Sequence, residues 1–400
     1  MRFLIYFVFL FIISCSTNKN KYDNKLIGLN GSPLNFFKYP FFNLKINDSL
    51  KGNFIFDTGC YNTFLDSTFI INSKLKINYS KDASSSGIGT LKKKIKVSED
   101  TLKFQFEKTI LSSSPNAISD IKSIAGRNCD GLIGYRYFEK KIVKLDYRNE
   151  QCAIYSNTND ILDITEYFKV PIDFKKNRIF LNASITINDT IQINGKFILD
   201  TGSNFPIYLT STAAQKYKLK NITYNSDFIS NKTGTGGNAN GYTFLSKSIL
   251  IGNCEFNKVP IYASTDSAGS MATNDFEGIL GNQFLENFTF IINPIKKELL
   301  LKPYKKNAEF DYNLLGFTLI DRTDIAPYYW GIKALLSKSI AENSGLTLND
   351  KITKINNKNV VKINLKQFLK DLRVGENIDI TVLKNNKEHV YPLILKSVYK

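Results

Sequence analysis

The chain has 400 residues, of which 43% are hydrophobic and 13% aromatic, and its formal net charge is +17. This length and apolar content suffice for two or three well-packed domains and exclude a mainly disordered chain. The lysines are spread along the chain, without an arginine-rich cluster or a basic helix. A solvated basic surface is therefore favoured over nucleic-acid binding, and we expect no nucleic-acid partner.

A single histidine, His389, lies near the C-terminus. One histidine there cannot serve a Ser-His-Asp or Cys-His arrangement beside the motifs described below. No set of histidines and cysteines has the spacing of zinc ligands, so we expect no metal. Carboxylates are the remaining groups that could perform chemistry.

The N-terminus has the pattern of an export signal. A short basic start precedes an apolar run at residues 3–13 that is too short to cross a bilayer. Residues 12–15 (IISC) resemble a bacterial lipobox, in which Cys15 becomes the lipidated N-terminus. We therefore predict a lipoprotein signal peptide at residues 1–14 and a polar tether at 15–25. The resemblance implies anchoring in a bacterial envelope, and the lack of acidic residues directly after Cys15 favours the outer membrane facing the periplasm. An ordinary cleaved secretion signal is the alternative.

An apolar strand running into Asp-Thr-Gly occurs twice in the chain. The first copy is residues 53–60 (NFIFDTGC) and the second is residues 196–203 (KFILDTGS). Each is followed at a similar distance by two aliphatic residues and a glycine, at 132–134 (LIG) and 279–281 (ILG). The repeated order indicates an internal duplication.

Short alternating strands broken by turn residues surround both copies, which is the pattern of all-β domains. We predict a first unit at residues 26–163 and a second unit at 164–303. Each unit has a glycine-rich hairpin tip between its Asp-Thr-Gly and its aliphatic strand. We interpret these tips as flaps over a cleft rather than as plain turns, and assign substrate contact to Gly87, Ile88, Gly89, Gly236 and Gly237.

Two adjacent carboxylates provide an acid and a base together. At a separation of about 3 Å they cannot both ionise, so the pair holds one proton. The ionised member can deprotonate a water while the protonated member hydrogen-bonds the carbonyl under attack. We assign this pair to Asp57 and Asp200. Glycines permit the close approach and threonine hydroxyls can tie the loops together, so the supporting residues are Thr58, Gly59, Thr201, Gly202 and Ser203.

The paired motifs resemble those of the pepsin/retropepsin aspartic proteases, and residues 278–285 (GILGNQFL) are especially similar to the retropepsin-like proteases of bacteria. The resemblance implies an all-β bilobal aspartic-protease barrel of two retropepsin-like lobes. It also implies hydrolysis of peptide bonds in polypeptide substrates, without metal or cofactor. Because both motifs lie in one chain, we expect the active site within one chain. A barrel that kept its motifs and lost activity is the alternative.

Cys60 departs from the family pattern, in which serine or alanine follows the glycine. A hydroxyl at Ser203 could hydrogen-bond Asp200, whereas the Cys60 thiol is a weaker donor, so we expect Asp57 to hold the shared proton more of the time. Cys129 should lie beside Cys60 in this fold. A disulfide between them and a pair of free thiols are both open alternatives.

The sequence changes character after a linker at residues 304–309. Segments that include residues 314–317 (LLGF) and 339–346 (SIAENSGL) resemble a PDZ domain of the bacterial protease type, so we predict an α+β PDZ domain at 310–400, the C-terminal unit. The resemblance implies binding of peptide or protein C-termini by a peptide strand added beside this unit, at Leu315, Gly316, Phe317 and Thr318. The alternative function is a catalytically silent adaptor that binds peptides here and uses the barrel as a scaffold.

Overall fold

The computed structural model describes residues 32–90, 92–106, 109–157, 164–223, 226–230, 234, 237–305, 310 and 312–399. The predicted signal peptide, Cys15 and the tether lie outside these residues, and so does Gly236. None of the helices in these residues combines the length and the hydrophobicity of a membrane-spanning segment.

The described chain is mostly β-structure, which confirms the prediction at that level. In the first unit, a 10-stranded sheet surrounds the first motif. Its strands are Asn35–Phe37, Tyr39–Ile46, Leu50–Asp57, Thr63–Asp66, Lys81–Ser86, Lys92–Ser98, Leu102–Phe106, Thr109–Ser113, Asn116–Ser119 and Gly131–Gly134. Side chains alternate between the two faces of the strand Tyr39–Ile46. Phe42, Leu44 and Ile46 are buried in the apolar core, while Asn43 and Lys45 are exposed.

The second unit repeats this arrangement around the second motif. Its strands are Phe168–Lys175, Arg178–Thr186, Gln192–Asp200, Ile207–Leu209, Ser226–Ser230, Ala239–Leu245, Ser248–Ile251, Cys254–Asn257, Pro260–Ser264 and Gly278–Gly281. The strand register is equivalent in the two units. Phe41 pairs with Ile55 in the first unit and Phe180 pairs with Ile198 in the second, and each isoleucine lies two residues before the aspartate of its motif.

Antiparallel strands from both units join them in a further sheet. Its strands are Ser32–Pro33, Gln151–Tyr155, Ile142–Asp146, Phe288–Asn293, Glu298–Pro303 and Phe168–Lys175, in that order across the sheet. One apolar cluster continues through this sheet, with members such as Phe54 from the first unit and Phe197 from the second. The two motifs are therefore held on a common core.

The helices are short and lie at the edges of the sheets. The α-helices are Ser67–Ser73, Lys122–Ala125, Ser211–Lys216, Lys220–Thr223, Asn282–Leu285, Ile340–Asn343 and Leu365–Asp371, and the 3-10 helices are Tyr135–Phe138 and Val360–Lys362.

The C-terminal unit has its own apolar core around the fully buried Trp330. Its strands are Phe317–Arg322, Tyr329–Leu336, Lys351–Ile355, Lys358–Asn359, Asn377–Lys384 and Lys387–Ile394. The unit is not a separate appendage. Residues Ala334 to Leu336 pair antiparallel with Phe228 to Ser230, so one of its strands extends the sheet of the second unit.

Candidate active site

Each aspartate of the two motifs stands at the end of an apolar strand. Leu50–Asp57 runs parallel to Gly131–Gly134 with Asp57 opposite Gly134, and Gln192–Asp200 runs parallel to Gly278–Gly281 with Asp200 opposite Gly281. The aliphatic-glycine strands singled out in the sequence thus lie directly beside the motifs and bury them.

The two carboxyl groups face each other across the glycines. A Cβ atom placed on Gly59 would lie 2.4 Å from Cγ of Asp200, and one placed on Gly202 would lie 2.3 Å from Cγ of Asp57. No side chain fits at such distances, so glycine is required at both positions. Each aspartate therefore packs against the motif of the other unit, within hydrogen-bonding reach of the other carboxyl.

The two threonines lock the loops together with a symmetrical set of hydrogen bonds. The Thr58 hydroxyl donates to the Leu199 carbonyl at 2.8 Å and accepts from the Thr201 N–H at 3.0 Å. The Thr201 hydroxyl donates to the Phe56 carbonyl at 2.6 Å and accepts from the Thr58 N–H at 3.0 Å. Both threonines are 0% exposed, so these bonds are shielded from water and fix the position of the carboxyl groups.

The electrostatics of the pair are unequal. Burial, followed by the charge of Asp200, raises the pKa of Asp57 well above its ordinary value, although the Gly59 and Cys60 N–H groups donate to its Oδ1 at 2.9 and 3.0 Å. Burial also raises the pKa of Asp200, but only to about 6, because the Gly202 and Ser203 amides, Asp57 and the Arg178 cation favour its charged form. The Arg178 cation acts on Asp200 and is not among the causes that act on Asp57, so these surroundings favour the charged form of Asp200 and the shared proton on Asp57.

The donor expected to cause this asymmetry, the Ser203 hydroxyl, does not act in that way in the structure. Among the described residues, the buried Ser203 hydroxyl has no hydrogen-bond partner, so it does not bind Asp200. The Cys60 thiol donates to the Asn62 carbonyl at 3.1 Å instead of to Asp57. The backbone amide of Ser203, rather than its hydroxyl, favours the charged form of Asp200.

Arg178 is a charged residue of the site that the sequence did not reveal. The equivalent strand registers place it at the position that Tyr39 occupies in the first unit, two residues before Phe180 and Phe41 respectively. A cation thus stands on one side of the cleft and a neutral phenol on the other. The two hairpins differ in length, so the strand registers, rather than an alignment of the sequence on the aspartates, identify the pair.

Cys60 and Cys129 pack in the same small apolar cluster and are both free thiols. The Cys129 thiol donates to the Gly131 carbonyl at 3.3 Å, next to the aliphatic-glycine strand. Of the two alternatives left open by the sequence, the structure contains the free thiols.

The predicted flap of the first unit reaches the second unit. The Ser270 hydroxyl donates to the Gly87 carbonyl at 2.9 Å, and Ile88 packs against the apolar cluster that contains Tyr208 and Phe276. Gly89 lies so close to Gly269 that a Cβ on the latter would be 1.8 Å from the Gly89 oxygen. Of the two glycines predicted in the other tip, the structure describes Gly237, which has a positive φ of 80°.

A cavity of about 530 Å³ joins these features. Asp57 and Asp200 line it together with Gly87 and Ile88 of the first flap. The C-terminal unit closes another side, through residues that include Thr318, Leu319 and Lys333. No motif in this unit relates it to the duplicated units, so its place at the same cavity as the aspartates was not predicted from the sequence.

The predicted peptide-binding loop of the C-terminal unit is placed only partly at this cavity. Leu315 and Phe317 are buried in the core of the unit, and Gly316 has a positive φ of 76°. Thr318 lines the cavity, whereas the other three residues do not.

The outer edge of the following strand is already in contact with the first unit. The Lys38 ammonium donates to the Leu319 carbonyl at 2.8 Å, and the Arg127 N–H donates to the Asp321 carbonyl at 2.9 Å. The Arg127 guanidinium also forms an ion pair with the Asp321 carboxylate at 3.0 Å. A peptide strand added at this edge would have to displace these contacts.

In the described part of the chain, no group of three or more His, Cys, Asp or Glu side chains is arranged to hold a metal ion.

Comparison with known proteins gives one family match. The model of a family described as aspartyl protease matches residues 183–284, which contain Asp200 and the strand Gly278–Gly281. The chain is also similar to the crystal structure of basic 7S globulin from soybean, at 8% sequence identity and a TM-score of 0.37, over 66% of this chain and 91% of that chain. No curated protein matches the chain. The aspartyl protease prediction is thus confirmed for residues 183–284, and the roles assigned outside them stay predictions.

Proposed function

We propose that this protein is an aspartic endopeptidase in which Asp57 and Asp200 activate a water for attack on a peptide bond. The proposal proceeds from the aspartyl protease match around Asp200. The observation that carries it is the mutual packing of the aspartates, each against the glycine of the opposite motif. This packing supplies the second carboxyl that the matched segment needs.

The surroundings of the pair assign the two roles, because the Arg178 cation favours the charged form of Asp200. Asp200, whose pKa is about 6, is ionised at neutral pH and takes a proton from the water as it attacks the carbonyl carbon. Asp57, whose pKa is raised well above its ordinary value by burial and by the charge of Asp200, keeps its proton and donates a hydrogen bond to the carbonyl oxygen. Collapse of the tetrahedral intermediate breaks the C–N bond, and the leaving nitrogen receives a proton from the pair.

The surroundings of the pair suit an extended polypeptide. Ile88 and the Gly87 carbonyl stand over the cavity, and the Ser270 contact holds this flap tip in place. A strand of substrate lying under the tip would exclude water from the carboxyl groups. The C-terminal unit, which resembles a PDZ domain in sequence, lines the same cavity and is assigned to substrate binding.

The test is cleavage of unfolded casein by the purified protein. Asp57→Asn and Asp200→Asn should each abolish turnover, because one carboxyl cannot act as acid and base together. Asp379→Asn, an exposed position in the C-terminal unit, makes the same chemical change away from the cavity and should cut at the parent rate. Substantial cleavage by either dyad variant would contradict the proposal. A folded parent that cuts nothing would favour the adaptor alternative.

We also propose that Cys15 carries a lipid and anchors the protein to a bacterial envelope. The support is the lipobox-like sequence before it. The protein should label with palmitate and sediment with membranes, and Cys15→Ala should abolish the label and release the protein into the soluble fraction. Labelling that persists in Cys15→Ala would overturn the assignment.

A further inference from the structure

Two lysines cross between units at the wall of the cavity. Lys333, on strand Tyr329–Leu336 of the C-terminal unit, donates to the Ile124 carbonyl of the first unit at 2.6 Å. Lys38 belongs to the first unit and donates to the Leu319 carbonyl of the C-terminal unit. Both line the cavity that contains the two aspartates.

The charge of Lys333 is not compensated within the described part of the chain. Its hydrogen-bond acceptor there is a neutral carbonyl, and no carboxylate of the described residues lies within ion-pair distance. Burial, followed by the nearby charge of Lys38, lowers the pKa of Lys333 to about 7. Two further lysines form ion pairs with carboxylates: Lys122 with Asp130 at 3.1 Å, and Lys366, which also lines the cavity, with Glu150.

Two neighbouring ammonium groups facing a partly enclosed space favour an anion between them. A carboxylate fits best, because its two oxygens can each accept from one ammonium group, and such charge-assisted hydrogen bonds are strong away from bulk water. The peptide substrates of the proposed reaction carry carboxylates at acidic side chains and at the C-terminus. The space between the two ammonium groups differs from the loop Leu315 to Thr318, to which the sequence resemblance assigns binding of peptide C-termini.

We infer that Lys38 and Lys333 form a subsite that binds a carboxylate of the peptide substrate in the catalytic cavity. The inference rests on the proposed peptidase function, because it supposes that a peptide occupies this cavity. It makes the C-terminal unit a part of substrate selection next to the dyad.

Binding can be measured separately from cleavage in full-length protein carrying Asp57→Asn. The probes are one fluorescent apolar nonapeptide in four forms: with a free or amidated C-terminus, and, in the amidated form, with a single internal Gln or Glu. Fluorescence anisotropy at pH 6 gives each dissociation constant. We expect a carboxylate form to bind about tenfold more tightly than its neutral counterpart. The free C-terminus and the internal Glu distinguish the two sources of the carboxylate.

Lys333→Met and Lys38→Met, each added to Asp57→Asn, should reduce this discrimination to within about twofold. Lys366→Met removes the same charge from the same cavity wall but from an existing ion pair, and should leave the discrimination intact. Equal binding of all four peptides by the parent, or full discrimination retained in both Lys333→Met and Lys38→Met, would overturn the subsite.

The casein assay separates this inference from the proposed function. If the wild-type protein cleaves casein while the peptides bind alike, the subsite is wrong and the peptidase stands. If carboxylate peptides are discriminated through the two lysines but no substrate is cut, the subsite stands as a binding site and the peptidase is wrong.

Discussion

Replacing Asp200 by Asn should stabilise the protein at alkaline pH and leave its stability unchanged at acid pH. Burial raises the pKa of Asp200 from 3.8 to about 6, so folding at neutral pH must bury an already ionised carboxyl in a place that disfavours charge. Asparagine has nearly the same shape, and its oxygen can still accept the hydrogen bond that the Gly202 N–H donates at 2.9 Å. The substitution therefore removes the charge while keeping the local contact.

The size and sign of the effect follow from the pKa difference. A carboxyl whose pKa is higher in the folded state binds its proton more tightly there, so folding is disfavoured wherever the proton is lost. Above the folded value of about 6 the full penalty applies, and below the ordinary value of 3.8 it vanishes. A shift of about two pKa units corresponds to about 3 kcal/mol of unfolding free energy. Asp200→Asn should increase the free energy of unfolding by most of this amount at pH 8, and by almost none of it below pH 4.

Thermal unfolding followed by circular dichroism at pH 8 and at pH 4 gives the comparison. The difference in midpoint between Asp200→Asn and the parent should be positive at pH 8 and close to zero at pH 4. The exposed Asp379→Asn serves as the matched control and should leave the midpoint unchanged at both pH values. An Asp200→Asn protein that is less stable than the parent at pH 8 would refute the claim that the ionised dyad is held at a cost in stability.

Four further outcomes are expected. Specific activity should be independent of protein concentration, because both aspartates lie in one chain, and a steep fall on dilution would contradict this. Arg178→Gln should move the acid limb of the kcat/KM profile to higher pH by raising the pKa of Asp200, whereas Ser203→Ala should leave that limb unchanged because its hydroxyl has no described partner. Lys333→Met should raise the thermal midpoint more at pH 6, where the buried ammonium is charged, than at pH 9; an equal gain at both would mean that the charge is not penalised. A chain ending at residue 305 should lose most of its casein cleavage, since the cavity loses a wall, and undiminished turnover would show that this wall is dispensable.

The duplicated motif predicted the centre of the site because local chemistry dictates it. A close approach of two loops requires a glycine two residues after each aspartate, and the threonine that lies between them joins the loops by hydrogen bonds. The structure brings all of these residues together. The β-rich character followed from alternation in the same way. These features depend on residues within a few positions of one another, so a single sequence displays them.

The features that the sequence did not display depend on contacts between distant segments. Lys333 reaches the cavity because its strand extends the sheet of the second unit, and nothing near Lys333 in the sequence indicates that pairing. The error over Ser203 has a similar origin. Its hydroxyl lies close to Gly281, where a Cβ would be 3.0 Å from the hydroxyl oxygen, and the sequence around Ser203 does not indicate this approach of a distant segment.

The pairing of the C-terminal unit with the second unit makes the two sides of the cleft mechanically different. Strand Ser226–Ser230, which leads into the second tip, has a partner on both edges, whereas Lys81–Ser86 of the first flap pairs along one edge with Lys92–Ser98. Raising the second tip would break main-chain bonds in two ladders. Raising the first would break the Ser270 and Thr90 hydrogen bonds and the packing of Ile88 but, among the described residues, no strand ladder with another unit. We therefore expect the cleft to open by movement of the first flap while the second side stays in place, so amide hydrogens at residues 87–89 should exchange faster than those at 228–230. A polypeptide would enter beneath the first flap. Unfolded segments of chain could then reach the aspartates, whereas compact folded surfaces would be excluded.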